Sequence, residues 1–93
     1  MASGPGTSRT VTMLNKRGLH ARASAKFVTL AAAQPAEILV EKDGNEVCGT
    51  SIMGLMMLGA ALGDTITIRA EGDGAEQAVA ALAELVENRF GEE

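Results

Sequence analysis

The sequence predicts an α+β domain, a two-layer open-faced sandwich in which a four-stranded, mostly antiparallel sheet carries three helices on one face. Three observations lead there. Several short stretches alternate apolar and polar residues, so each makes a strand with one buried face, which suits antiparallel pairing. Two longer stretches repeat their apolar residues at helical spacing. The resulting order is β-α-β-β-α-β-α, with turn residues at the junctions.

Met1–Ser8 is small, polar and contains Gly and Pro, which predicts a loose tail over residues 1–8. Arg9–Leu14 sends Val11 and Met13 one way and Thr10 and Thr12 the other, as a strand does. Asn15–Leu19 is a basic loop. Ala23, Phe27 and Ala31 then recur at i, i+4 and i+8, predicting a first helix over Ala21–Ala33 that Gln34-Pro35 ends. Ala36–Lys42 is a strand with Ile38 and Val40 on one face. Asp43-Gly44-Asn45 signals a hairpin into a short strand, Glu46–Gly49. Thr50 or Ser51 caps a short second helix that runs to Leu58. After a turn over Gly59–Asp64, Thr65–Ala70 points Ile66 and Ile68 inward. From Ala75 to Phe90 the apolar residues follow a 3.6-residue period, the longest helix expected, and residues 91–93 are left as a tail.

The chain has 93 residues, enough for one domain (residues 9–90) and not for two. Its only aromatic residues are Phe27 and Phe90, so the core must be built from aliphatic side chains and methionine. One cysteine and one histidine make neither an intrachain disulfide nor a usual zinc site, so no metal and no cofactor is expected. The N-terminal residues lack the blocks of a signal peptide, and the apolar run Ile52–Leu62 is too short to span a bilayer. A cytoplasmic protein without membrane insertion is expected.

Charge is unevenly placed. Residues 1–36 hold five bases and no acid, whereas the remainder holds three bases and all twelve acids. Four of the five bases, Lys16, Arg17, Arg22 and Lys26, surround His20, the only histidine. That field would draw an acidic partner or a phosphorylated group toward the imidazole. Nucleic acid is disfavoured, because the chain carries a net charge of −4 and neither phenylalanine is free to stack on bases.

His20 falls at the start of the first helix, after the turn residue Gly18. There the backbone N–H groups of Ala21, Arg22 and Ala23 lack intrahelical acceptors, and the helix dipole is positive. A histidine in that place is ordinarily just a cap. With Arg22 two residues on and basic residues around it, the arrangement suits binding of a phosphoryl group. Ser51 has an equally ordinary reading as an N-cap. On the second helix Ile52, Met53, Leu55, Met56, Met57 and Leu58 cover the whole circumference. Leu55 and Leu58 are expected in the core, leaving Ile52, Met53 and Met56 as an exposed apolar patch.

Gly18-Leu19-His20-Ala21-Arg22 after a first strand, with Ser51-Ile52-Met53-Gly54-Leu55-Met56 opening the second helix, resembles the HPr family. These are the histidine-containing phosphocarriers of the bacterial phosphoenolpyruvate-dependent phosphotransferase system. The resemblance runs from about Arg9 to Phe90. It implies that His20 is phosphorylated on Nδ1 by phospho-Enzyme I and passes the group to an Enzyme IIA-type acceptor, as in sugar uptake. It implies that Arg22 steadies the phosphate, and that Ser51 is the serine modified by an HPr kinase/phosphorylase where one exists. Ile52, Met53 and Met56 match partner-docking positions, to which the charge pattern adds Lys16, Arg17 and Lys26. Ala23 stands where the family often has proline, and Met57 where a small polar residue is frequent. The expected protein is a monomer that acts as a stoichiometric carrier and not as a free-standing enzyme. The alternative is a regulatory interaction module of nitrogen type, read out through phosphorylation of His20 and Ser51.

Overall fold

In the computed structural model, which describes residues 6–92, the elements are β1 (Thr7–Thr12), α1 (Ala21–Ala32), β2 (Glu37–Lys42), β3 (Asn45–Cys48), α2 (Ile52–Met57), β4 (Thr65–Glu71) and α3 (Ala75–Glu87). A single 3₁₀ turn, Arg89–Gly91, follows α3. The order is the expected one. The strands lie β1-β4-β2-β3, and every neighbouring pair is antiparallel.

Register follows from the period-2 pattern. Val11 sits opposite Ile66, Val40 opposite Ile68 and Ile38 opposite Ala70, which puts all six on the inner face. The other face is polar. There Thr10 and Thr67 share a hydroxyl hydrogen bond of 3.0 Å, and Arg69 donates to Glu46 at 2.7 Å. The β2–β3 hairpin turns on Asp43-Gly44, both with positive φ (53° and 84°), the backbone whose twist matches that of the flanking strands.

Helix α3 covers β1 and β4 with Ala78, Val79, Leu82, Ala83 and Val86, all buried. Helix α1 packs against α2 and α3 through Ala23, Phe27 and Ala31. Both phenylalanines are fully buried, so neither is available for stacking. Leu55 is in the core and Leu58 packs against it, as expected.

Most strand and helix ends shift by one or two residues, β1 for instance ending at Thr12 and not Leu14, and three departures from expectation carry structural consequences. Strand β1 begins at Thr7, because Thr7 and Ser8 pair with Ala70 and Arg69. These two residues are sheet and not tail; residues 1–5 of the expected tail lie outside the described residues. Helix α3 stops at Glu87 instead of running on to Phe90. Arg89 and Phe90 adopt left-handed backbone (φ 58° and 56°), a conformation costing about 1–2 kcal/mol per non-glycine residue. Complete burial of Phe90, a contribution of about 2–3 kcal/mol, offsets this. The third difference follows from the turn: Gly91 and Glu92, expected as tail, run back against the start of α1, while Glu93 lies outside the described residues.

Candidate functional site

Several hydrogen bonds hold the loop before α1. The amide of Leu19 donates to the carbonyl of Ala60 at 2.9 Å, tying the loop to the turn after α2. Gly18 makes that approach possible: its φ is +62°, and a Cβ there would lie 2.1 Å from the Ala60 oxygen. Asn15, fully buried, donates from Nδ2 to the carbonyl of Gly18 at 2.8 Å, and its Oδ1 has no partner among the described residues. Ser24, also buried, donates its hydroxyl to the Leu19 carbonyl at 3.2 Å.

This frame leaves His20 as the N-cap of α1, with extended backbone (φ −77°, ψ −177°). Its carbonyl accepts from the Ser24 amide at 2.9 Å, the first helical bond. Its Nδ1 accepts from the amide of Arg22 at 3.3 Å. The opposite ring nitrogen, Nε2, lies 2.6 Å from Oε2 of Glu92. Since a backbone N–H can only donate, Nδ1 carries the lone pair, and Nε2 carries the proton shared with the carboxylate. The lone pair thus points to the positive end of α1, where the first-turn amides of Ala21 and Ala23 have no helical acceptor behind them.

Lys16, Arg17, His20, Arg22 and Glu92 line one open hollow of about 280 Å³. Lys16, Arg17 and Arg22 are exposed, so their charges face whatever enters. Lys26 is drawn away from it, donating to the Phe90 carbonyl at 2.7 Å. Burial opposes the charge on Glu92, but hydrogen bonds from Asn15 (3.1 Å) and His20, with Lys26 nearby, bring its pKa below the ordinary 4.5.

The second group of expected residues forms a separate surface. Ser51 caps α2: its Oγ accepts from the Gly54 amide at 2.9 Å, which settles the choice between Thr50 and Ser51. Ile52, Met53 and Met56 are exposed and, with Met57, line a mostly apolar depression of about 450 Å³. Met53 and Met57 are the most exposed, at 73% and 79%. No residue lines both the hollow at His20 and this depression.

A protein-family model described as the PTS HPr component phosphorylation site matches residues 7–88. The phosphocarrier protein HPr of Cupriavidus necator is 45% identical over 84 residues, spanning 90% of this chain and 94% of that protein. The chain belongs to the HPr family. It is similar in backbone as well, superposing on the crystal structure of HPr-C-His from Thermoanaerobacter tengcongensis with a TM-score of 0.89 and 46% identity, covering 94% of this chain and 98% of that one. The phosphocarrier protein NPr of Shewanella violacea is 40% identical over 84 residues, covering 90% and 92% of the two chains. Membership of the HPr/NPr phosphocarriers gives the protein a general role in the phosphotransferase system. Among the described residues no helix is long and apolar enough to cross a membrane.

Sequence reasoning did not find Asn15 or Glu92. Asn15 is one polar residue in a basic loop, and nothing local marks it as buried. Glu92 sits 72 residues from His20 and reaches it only because α3 ends early.

Proposed function

We propose that His20 accepts a phosphoryl group on Nδ1 from phospho-Enzyme I and passes it to an Enzyme IIA-type acceptor. The observation that carries this reading is the direction of the Nδ1 lone pair, which faces the α1 N-terminus within a hollow ringed by Lys16, Arg17 and Arg22. A phosphoryl group on that nitrogen would lie among the amides of Ala21, Arg22 and Ala23, close to three cations. In the transfer, the Nδ1 electron pair forms a bond to phosphorus as the donor's P–N bond breaks. Arg22 steadies the three phosphoryl oxygens through its planar fork. Ile52, Met53 and Met56, joined by Met57, are the apolar part of the docking surface. Lys16, Arg17 and Lys26 supply the charge that draws an acidic partner. This reading places the protein in the cytoplasm, as a monomer that offers one face to successive partners.

A second reading rests on Ser51 and on the similarity to an NPr. Ser51 is only half buried, so an HPr kinase/phosphorylase could reach it, and a phosphate there would add negative charge beside the docking patch. A regulatory module would then be read out through both phosphorylation sites.

The two are separated by following labelled phosphate from phosphoenolpyruvate through Enzyme I to this protein and on to purified IIA domains of sugar and nitrogen type. The carrier reading expects label to leave this protein when an acceptor is added. Label that arrives and stays with every acceptor supports the regulatory reading.

A further inference from the structure

We infer that Glu92 is a positioning residue for phosphoryl transfer: its carboxylate holds the proton of His20 on Nε2, so that Nδ1 alone presents a lone pair. The inference deepens the carrier reading and depends on it for its consequences in transfer. Three features carry it. Nε2 and Oε2 of Glu92 are 2.6 Å apart, the short separation of a charge-assisted bond. The other carboxylate oxygen is fixed by Asn15, a fully buried amide anchored on the Gly18 carbonyl. The segment that delivers Glu92 is itself held: Phe90 is buried, three successive residues, Arg89, Phe90 and Gly91, have positive φ, and Lys26 binds the Phe90 carbonyl. Glu92 is not a side chain that happens to lie nearby.

The chemistry follows from the tautomer. When Nδ1 bonds to phosphorus, the electron pair of the broken donor bond leaves with the donor nitrogen, and the ring carrying both the phosphoryl group and the Nε2 proton becomes positive. Glu92 faces that developing charge directly. When the phosphoryl group moves on, the Nδ1–P electron pair returns to Nδ1. The proton stays on Nε2 throughout, so the relay needs no proton transfer. The carboxylate also covers Nε2, leaving one nitrogen open to phosphorylation.

The test compares wild type, Glu92→Gln and Glu92→Ala. Nitrogen-15 shifts of the imidazole report the tautomer, and phosphoramidate, a small donor, reports which nitrogen reacts through the phosphorus NMR signals of the two phosphohistidine isomers. Wild type should show the Nε2–H tautomer and react at Nδ1. Glu92→Ala should show a mixture of tautomers and a new Nε2 product. Both variants should be phosphorylated by Enzyme I about tenfold more slowly, less than a buried general base contributes, because the pair is partly open to water. Melting curves that leave both variants fully folded at the assay temperature would show that folding is not the cause. If Glu92→Ala keeps the wild-type tautomer and reacts only at Nδ1, the inference is overturned. If wild type shows the expected tautomer and selectivity with phosphoramidate but takes no phosphate from Enzyme I, the carrier reading fails and the Glu92 assignment stands.

Discussion

Two helices of this protein start on a side chain that bears a nucleophilic atom, and the two caps are built differently. At α2, Ser51 Oγ lies 2.9 Å from the Gly54 amide, three residues on, in a well-formed bond. At α1, His20 Nδ1 lies 3.3 Å from the Arg22 amide, only two residues on, and the bond is correspondingly weaker. The surroundings differ too. The hollow at His20 is lined by charged side chains, whereas the depression beside Ser51 is lined by Ile52, Met53, Met56 and Met57. A strong cap commits its lone pair to holding the helix. A weak one, with Glu92 on the far side of the ring, is what the carrier reading needs: an oriented imidazole whose Nδ1 can still react. On the carrier reading, the same device serves structure at one helix and chemistry at the other.

The contrast can be broken most forcefully through the loop that holds His20. Gly18→Ala should cost about 2–4 kcal/mol, since it combines a positive-φ penalty with a Cβ driven into the Ala60 carbonyl. Gly44→Ala, at φ +84° but with open space around it, should cost only about 1 kcal/mol. Urea denaturation of both variants checks the difference. Equal losses would mean that the Gly18–Ala60 contact does not hold the loop.

Removing the caps themselves separates their two roles. Ser51→Ala should lose about 1 kcal/mol; in a Glu92→Ala background, where the imidazole has lost its other partner, His20→Ala should lose about 0.5 kcal/mol or less, because its cap bond is longer. Transfer from Enzyme I should show the reverse order, near wild type for Ser51→Ala and absent for His20→Ala. Arg22→Lys should keep the fold and slow transfer several-fold, because the charge stays but the planar fork is lost. A wild-type transfer rate in stopped-flow or quenched-flow assays would remove Arg22 from its positioning role.

The smallest effect concerns pH. The folded-state pKa of Glu92 lies below its ordinary 4.5, so its contribution to stability is present above that value and disappears as pH falls through the lowered folded pKa. Wild type should therefore lose more stability than Glu92→Gln between about pH 5 and pH 3, read from urea midpoints. Parallel midpoints across that range would show that the carboxylate gains nothing from its partners.

Most of this architecture is legible in the sequence, because it rests on local periodicity. Ile38, Val40, Ile66 and Ile68 declare the inner face of the sheet by alternation alone. His20 could be placed at the start of α1 because a turn glycine precedes it and a helical repeat follows. The end of α3 was not legible. Phe90 continues the apolar period of Val86, and no breaker intervenes until Gly91, after the chain has already turned. Burial of Phe90 can be satisfied by a helix or by a left-handed turn, and only packing decides between them. Glu92 depends on that decision, so a residue that touches the His20 imidazole left no local trace. Asn15 is similar, since its burial comes from the loop folding over it and not from its neighbours in sequence.

One experiment decides whether Nδ1 of His20 carries the phosphoryl group: intact mass and phosphorus NMR after incubation with Enzyme I and phosphoenolpyruvate, using wild type and His20→Ala. The account predicts an acid-labile gain of one phosphoryl group in wild type, with the signal of the Nδ1 isomer, and no gain in the variant. An acid-stable adduct, or the same gain in His20→Ala, would contradict it and move attention to Ser51.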